Sequence, residues 1–191
     1  MAWMSRRDRR AWQSATTLAD LGELTARWLE GDLGSRPGYT PRHGPDEETA
    51  DLIQTLAACN RSGFLTDQSQ PGISAGRDGW RQRAAVQGWI ADGRLLADVT
   101  AAAHKAGLLV IVHEPGAIDD DSYIIATERH GVPHTAFGTP FRREDLHATW
   151  GSTAAYLNVL TANTVTVVDP KWGRNDRLWP ALDRLTRRAT V

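Results

Sequence analysis

The chain is 191 residues long, 41% of its residues are apolar, and its 22 basic and 23 acidic residues nearly cancel. This length fits one domain with a sizeable buried core. The balanced charge excludes an overall electrostatic preference for nucleic acid or for anionic membranes. The single cysteine, Cys59, excludes an intrachain disulfide, and its place in an apolar helical pattern predicts a small buried side chain.

The N-terminal residues 1–19 are basic and polar, with arginines clustered at positions 6–10. Because no apolar run follows these arginines, the sequence lacks the middle region of a signal peptide, and no stretch reaches transmembrane length. We therefore expect a cytoplasmic protein with a basic N-terminal arm at residues 1–19 and a single domain at residues 20–191.

The first predicted helix is capped by Asp20 and ends at Gly31. Residues 34–45 hold several glycines and prolines, which is typical of a connector or a lid. A second helix is predicted to begin near Asp46, because carboxylates in a first turn meet the positive end of the helix dipole. Gly63 is its expected end.

A brief buried strand is predicted at residues 64–66, followed by a hydroxyl-rich bend that contains Thr66 and Ser69. Hydroxyls at such a position either satisfy the backbone of their own turn or face a ligand. Residues 72–79 are rich in glycine, which predicts a flexible loop. The pattern of residues 80–90 is compatible with either a helix or a strand.

The second half of the chain alternates between helical and strand patterns. Helices are predicted at residues 92–106 and 142–160 and from about residue 175 onward, and strands at residues 108–113, 122–127, 135–138 and 164–168. The continuous apolar run of residues 108–113 predicts a buried strand.

Patterns typical of catalytic and metal sites are missing from the sequence. None of the six histidines has a metal-ligand spacing. Ser69 has no glycine-flanked elbow, and the glycines of residues 72–79 do not form a phosphate-binding signature. The acidic triplet at residues 119–121 is more typical of a solvated turn than of a cation site. We therefore predict no metal and no catalytic residue.

The motif N-R-x-G-hydrophobic-L-T-x-x-S-Q-P resembles a segment of the regulatory domain of eukaryotic methylenetetrahydrofolate reductase, which binds S-adenosylmethionine. Further matches are collinear with that domain, and the resemblance covers residues 20–187. The chain is also similar to an uncharacterised family of small stand-alone bacterial proteins. The matching segments are Glu48-Thr49, Asn60 to Pro71, Gln82-Arg83-Ala84, Val168-Asp169 and Leu178-Trp179.

This resemblance implies an α+β fold with mixed β-sheets flanked by helices, and it favours a strand at residues 81–90. It also implies a binding site for S-adenosylmethionine or S-adenosylhomocysteine. Thr135, which precedes Ala136-Phe137-Gly138, matches a later ligand-contacting threonine of that family. The reductase barrel has no counterpart here, so no reductase activity is expected. The implied ligand-binding residues are Glu48, Thr49, Thr66, Ser69 and Thr135.

Three classes of function are compatible with these patterns. The first is a stand-alone sensor or regulatory protein that binds an adenosyl ligand, the second is an enzyme that acts on an adenosyl or nucleotide-like molecule, and the third is a protein-interaction module with a vestigial pocket. The lack of a recognisable nucleophile, metal or acid-base pair favours the sensor. Its expected partner is a small adenosyl molecule, with a protein partner or a homodimer left open and no nucleic acid or membrane.

The apolar positions of the helical and strand patterns predict which side chains form the core. These residues are Trp28, Leu52, Ile53, Leu56, Val110, Val112, Val167, Leu178 and Trp179.

Truncation of core side chains should destabilise the fold. We expect Leu56→Ala and Val167→Ala each to lower the free energy of unfolding by about 2 to 5 kcal/mol, because the lost burial and the remaining cavity both contribute. Chemical denaturation followed by circular dichroism measures this change. Unmoved midpoints for both variants would contradict the packing of helices on strands.

Overall fold

The computed structural model describes residues 3–118 and 121–189. Two residues of the acidic triplet, Asp119 and Asp120, lie outside the described residues, as do the ends of the predicted arm and domain at residues 1–2 and 190–191. The helices are α1 (Arg6–Gln13), α2 (Leu18–Leu29), a 3-10 helix (Glu47–Leu52), α3 (Ile53–Arg61), α4 (Gly93–Lys105), α5 (Arg143–Trp150), α6 (Tyr156–Leu160) and α7 (Leu178–Ala189). The strands are β1 (Phe64–Gln70), β2 (Trp80–Gln82), β3 (Ala85–Ile90), β4 (Leu109–His113), β5 (Ile124–Arg129), β6 (Val132–Phe137) and β7 (Asn163–Val168).

The strands form two sheets. The larger sheet has the order β1-β3-β7-β4, and the smaller sheet has the order β2-β5-β6. The predicted α+β class is confirmed. We expected mixed sheets, whereas every strand pair among the described residues is antiparallel.

One extended segment contributes a strand to each sheet. β2 lies in the small sheet and β3 in the centre of the large sheet, and only Arg83 and Ala84 separate them. The Arg83 N–H donates to the Ala126 carbonyl at 2.8 Å, and the Ala84 carbonyl accepts from the Asp169 N–H at 2.9 Å. Residues 80–90 are therefore extended, as the resemblance implied, and they hold the two sheets together.

The main core contains side chains from the large sheet and from all the longer helices. At its centre, Trp150 packs against Trp12 and Trp89, with ring centroids 5.9 Å and 6.2 Å away. Most of the predicted core residues are buried, although Ile53 and Val110 are only half-buried. The prediction that Val112 belongs to the core is wrong, because β4 is an edge strand and Val112 is 41% exposed.

The predicted boundary between an arm and a domain does not match the structure. It falls inside α2, which begins at Leu18 with Thr17 as its N-cap, while Asp20 completes a capping box at the third helical position. The preceding helix α1 buries Trp12, whose indole N–H donates to the Ser35 carbonyl at 2.9 Å. The N-terminal segment is therefore part of the core.

Three other elements differ from the prediction. β1 continues to Gln70, so Thr66 and Ser69 lie in a strand with an irregularity between Thr66 and Gln68 instead of in a bend. The predicted helix 142–160 is divided into α5 and α6, because the Thr153 hydroxyl donates to the Trp150 carbonyl where α5 ends. The predicted buried strand 108–113 forms an edge of the large sheet.

Cys59 is buried at 1% exposure, which confirms its predicted place in the core. Burial, together with the nearby charge of Asp183, raises the pKa of its thiol to about 12. Within the described parts of the chain, no helix has both the length and the apolar character that a membrane span requires.

Close packing of α2 on α3 depends on Gly22. A Cβ atom at this position would collide with the backbone carbonyl of Asn60 near the end of α3. The missing side chain therefore lets the two helices approach each other.

A matched pair of glycine substitutions tests this contact. Alanine is favoured over glycine in a helix by up to about 1 kcal/mol, so propensity alone would stabilise both Gly22→Ala and Gly93→Ala. A Cβ on Gly93, the first residue of α4, has no neighbour within 4 Å. We expect Gly22→Ala to lower the free energy of unfolding by about 1 to 3 kcal/mol through overpacking, while Gly93→Ala is neutral or stabilising. Equal unfolding midpoints for the two variants would contradict this prediction, because they would show that α2 and α3 move apart without loss of stability.

Candidate functional site

A cavity of about 200 Å³ lies beside the outer edge of β1. Helix α2, the loop after it, the 3-10 helix, α3, β1 and the end of β6 each contribute to its wall. The lining residues are Thr25, Trp28, Leu29, Arg36, Tyr39, Pro45, Asp46, Thr49, Leu56, Thr66, Asp67, Gln68, Ser69 and Phe137.

Three of the predicted site residues line this cavity. Thr49 comes from the 3-10 helix, while Thr66 and Ser69 come from β1. Thr49 and Thr66 are each 6% exposed, and Ser69 is half-buried. The start of the helical segment and the far end of the strand after it therefore reach one cavity, because the chain reverses direction at Gly63.

Thr66 is fixed by a fully buried asparagine. The Asn60 side-chain N–H₂ donates to the Thr66 hydroxyl at 2.7 Å and to the Leu56 carbonyl at 2.8 Å. The Asn60 side-chain oxygen accepts from the Thr66 backbone N–H at 3.0 Å. Since the Thr66 hydroxyl already accepts from Asn60, its own proton is available to an acceptor in the cavity.

Glu48 and Thr135 do not line the cavity. The Glu48 side chain is exposed, and its carboxylate accepts from the Gln82 side-chain amide at 3.2 Å. The Thr135 hydroxyl donates to that of Thr127 at 2.7 Å, and Thr127 in turn donates to the Gln70 side chain at 3.2 Å. Thr135 thus belongs to a polar chain between the two sheets, next to the cavity wall.

The sequence patterns missed a buried arginine. Arg36 is 4% exposed and lines the cavity, and its guanidinium lies 5.7 Å from the Trp28 ring centre and 5.2 Å from that of Trp150. Its Nη2 is 2.6 Å from the Asp67 carboxylate, and the same atom is 3.5 Å from the Thr66 carbonyl. A cation is therefore placed beside the predicted hydroxyls.

Little in the sequence could have indicated Arg36. It lies in a loop without periodicity, and its partner Asp67 occupies a variable position of the T-x-x-S-Q-P motif. The proline and glycine that follow Arg36 predicted a loop but gave no information on which side chain points inward.

Tyr39 and Asp46 form a polar pair at another part of the wall. Burial is the largest cause that raises the pKa of Tyr39 to about 12, followed by its hydrogen bond to the Asp46 carboxylate and by the charge of that carboxylate. Tyr39 also packs edge-on against Trp28, with ring centroids 5.0 Å apart. The cavity wall thus combines hydroxyls, carboxylates, one guanidinium and aromatic rings.

The described lining offers hydroxyls, carboxylates and a guanidinium as its functional groups. The described lining contains neither histidine nor cysteine, so the usual partners of an activated hydroxyl are missing from it. Among residues 3–118 and 121–189, no group of three or more His, Cys, Asp or Glu side chains is placed to hold a metal ion.

A larger groove of about 1100 Å³ runs between α4 and α7. Its walls carry alternating charges such as Arg94, Asp98 and Lys105, with alanines between them. None of the predicted site residues is among those that line this groove. The smaller cavity is therefore the better candidate for a specific ligand.

The fold and the cavity define an α+β protein with two antiparallel sheets and a small, partly polar cavity at the edge of the larger one. The chain belongs to the family described as a domain of unknown function, DUF6919, whose model matches residues 7–189. The match includes most of α1 together with every other element, in agreement with the burial of Trp12. No curated protein matches the chain.

The raised pKa of Tyr39 predicts how the stability of the protein changes at alkaline pH. The folded state holds the phenol proton up to about pH 12, whereas an unfolded tyrosine releases it near its ordinary pKa of 10. The contribution of Tyr39 to stability is thus complete below pH 10 and is lost as the pH rises through 12. Absorbance at alkaline pH should show one late-ionising tyrosine in the folded protein, and Tyr39→Phe should remove it. Retention of the late phase in Tyr39→Phe would contradict this prediction.

Proposed function

We propose that the protein is a sensor that binds S-adenosylmethionine or S-adenosylhomocysteine in the cavity beside β1. The observation that carries the proposal is the convergence of Thr49, Thr66 and Ser69, from two separate elements, on one cavity. These residues match ligand-contacting positions of the methylenetetrahydrofolate reductase regulatory domain that the sequence resembles.

The chemistry of the lining supports a polar, partly cationic ligand. Short neutral hydroxyls both donate and accept, so they suit the hydroxyl and amino groups of such a molecule. Asp46 and Asp67 add carboxylates at the same cavity. Carboxylates favour a sulfonium or an ammonium group through electrostatic attraction in a partly desolvated site.

The size of the cavity limits how such a ligand sits. Pockets that enclose a drug-sized molecule usually have about 300 to 1,000 Å³. A cavity of about 200 Å³ therefore encloses one end of an adenosyl ligand, and the other end lies at the mouth. The mouth is formed on one side by exposed Gln68 of β1 and on another by exposed Asp46.

Hydrogen bonds that connect the cavity wall to the small sheet support a sensor. Ser69 in the cavity wall is followed by Gln70, whose side-chain amide donates to the carbonyls of Arg83 and Ala126 at 2.9 Å and 3.0 Å. These carbonyls lie in the link between the sheets and in β5. A ligand that shifts β1 would therefore change contacts in the small sheet.

Calorimetric titration of both adenosyl ligands into the wild-type protein tests the proposal. We expect Thr49→Val and Ser69→Ala each to weaken binding by about 1 kcal/mol, or roughly fivefold in Kd, because each loses one neutral hydrogen bond. Thr100→Val is the matched control, since its hydroxyl donates to the Leu96 carbonyl within α4, away from the cavity.

Other outcomes identify other classes of function. No heat with either ligand on folded wild-type protein would exclude the sensor. Breakdown of S-adenosylmethionine during the incubation, followed by chromatography, would identify an enzyme instead. A stable protein partner whose binding ignores both ligands would indicate an interaction module.

A further inference from the structure

We propose that Arg36 is the carboxylate receptor of the cavity, so that the ligand must retain an amino-acid end with a free carboxylate. This inference rests on the proposed function and narrows it. Adenosyl compounds that lack the amino-acid end should then be poor ligands, although they carry the same nucleoside.

The first support is the incomplete hydrogen bonding of Arg36. A guanidinium has five N–H donors, and the described bonds to Asp67 and to the Thr66 carbonyl both use Nη2. Nε is buried and has no hydrogen-bond partner among the described residues. A buried donor without a partner is costly, so an incoming acceptor at this position is favoured.

The second support is the rigidity of the guanidinium. Trp28 and Trp150 lie within 5.7 Å and 5.2 Å of it, and the side chain is 5% exposed. Because the neighbouring rings and Asp67 fix its plane, little side-chain entropy remains to be lost on binding. Because Asp67 and the Thr66 carbonyl already use Nη2, a ligand carboxylate is received through a single charge-assisted hydrogen bond from one of the remaining donors, Nε or Nη1.

The third support is the balance of charge. Arg36 and Asp67 already form a pair at 2.6 Å, so a ligand carboxylate alone would leave an excess negative charge in the cavity. An ammonium group on the same ligand offsets this charge, and the carboxylates of Asp67 and Asp46 can accept its protons. An α-amino acid carries both groups on one carbon.

The fourth support is volume. The cavity of about 200 Å³ is below the usual range for a complete drug-sized ligand but has room for an amino-acid side chain and its charged end. Arg36, at 4% exposure, is among its most buried lining residues, whereas Gln68 is exposed. The amino-acid end therefore enters first, and the nucleoside stays at the mouth.

The test compares three ligands by calorimetry on the wild-type protein. These are S-adenosylhomocysteine, its carboxyl methyl ester, and 5′-methylthioadenosine, which has no amino-acid end. We expect the ester and the methylthio compound to bind roughly ten- to hundredfold more weakly than S-adenosylhomocysteine, because each loses a charged hydrogen bond. Equal affinity of all three would overturn the inference and leave the proposed function intact. No binding by any of them, or by S-adenosylmethionine, would overturn both.

Variants separate recognition from a structural role of Arg36. The double variant Arg36→Met with Asp67→Asn removes the ion pair without leaving a buried carboxylate unpaired. We expect the ratio of the Kd values for the ester and the free acid to fall to about one in this variant and to remain partly raised in Arg36→Lys. A purely structural role would weaken both ligands equally and leave the ratio unchanged, which would refute the inference. If circular dichroism shows that the double variant is unfolded, the wild-type ligand series and Arg36→Lys decide.

Discussion

The buried side chain of Asn60 is the interaction on which the cavity depends. It donates to the Leu56 carbonyl in its own helix and exchanges two hydrogen bonds with Thr66, so the end of α3 and the start of β1 move as one unit. The same residue presents its backbone carbonyl to α2 at Gly22. Asn60 thus fixes three elements of the cavity wall, α2, α3 and β1, at one point. Because its side chain is buried, water cannot replace these hydrogen bonds.

A second constraint comes from burying a charge next to this point. Arg36 holds the loop after α2 against β1 through Asp67, and its guanidinium lies near the rings of both Trp28 and Trp150. Breaking such a pair leaves an uncompensated buried charge, which is far more costly than breaking an exposed pair such as Arg27 with Asp32. The cavity is therefore rigid on the side of Arg36 and open on the side of Gln68.

Local patterns in the sequence predicted most elements but not their tertiary setting. The spacing of apolar residues found the helices and strands, and the T-x-x-S-Q-P motif pointed to Thr66 and Ser69. Trp12 was missed as core because one tryptophan among polar residues has no period, and Val112 was misplaced because an apolar run does not reveal which strand lies at an edge. Arg36 was missed since only the folded loop decides its direction. The predicted roles of Glu48 and Thr135 stay predictions.

The two edges of the large sheet are protected very differently. At β1 the Thr66 carbonyl faces Arg36, and the loop after α2 covers the strand. At the opposite edge β4 pairs only with β7 among the described strands, carries neither lysine nor proline, and exposes Leu109 and Val112. Such an unguarded edge is a template for a further strand. Because the cavity lies beside β1 at the other edge of this sheet, a lysine introduced at Val112 would guard the β4 edge without touching the cavity.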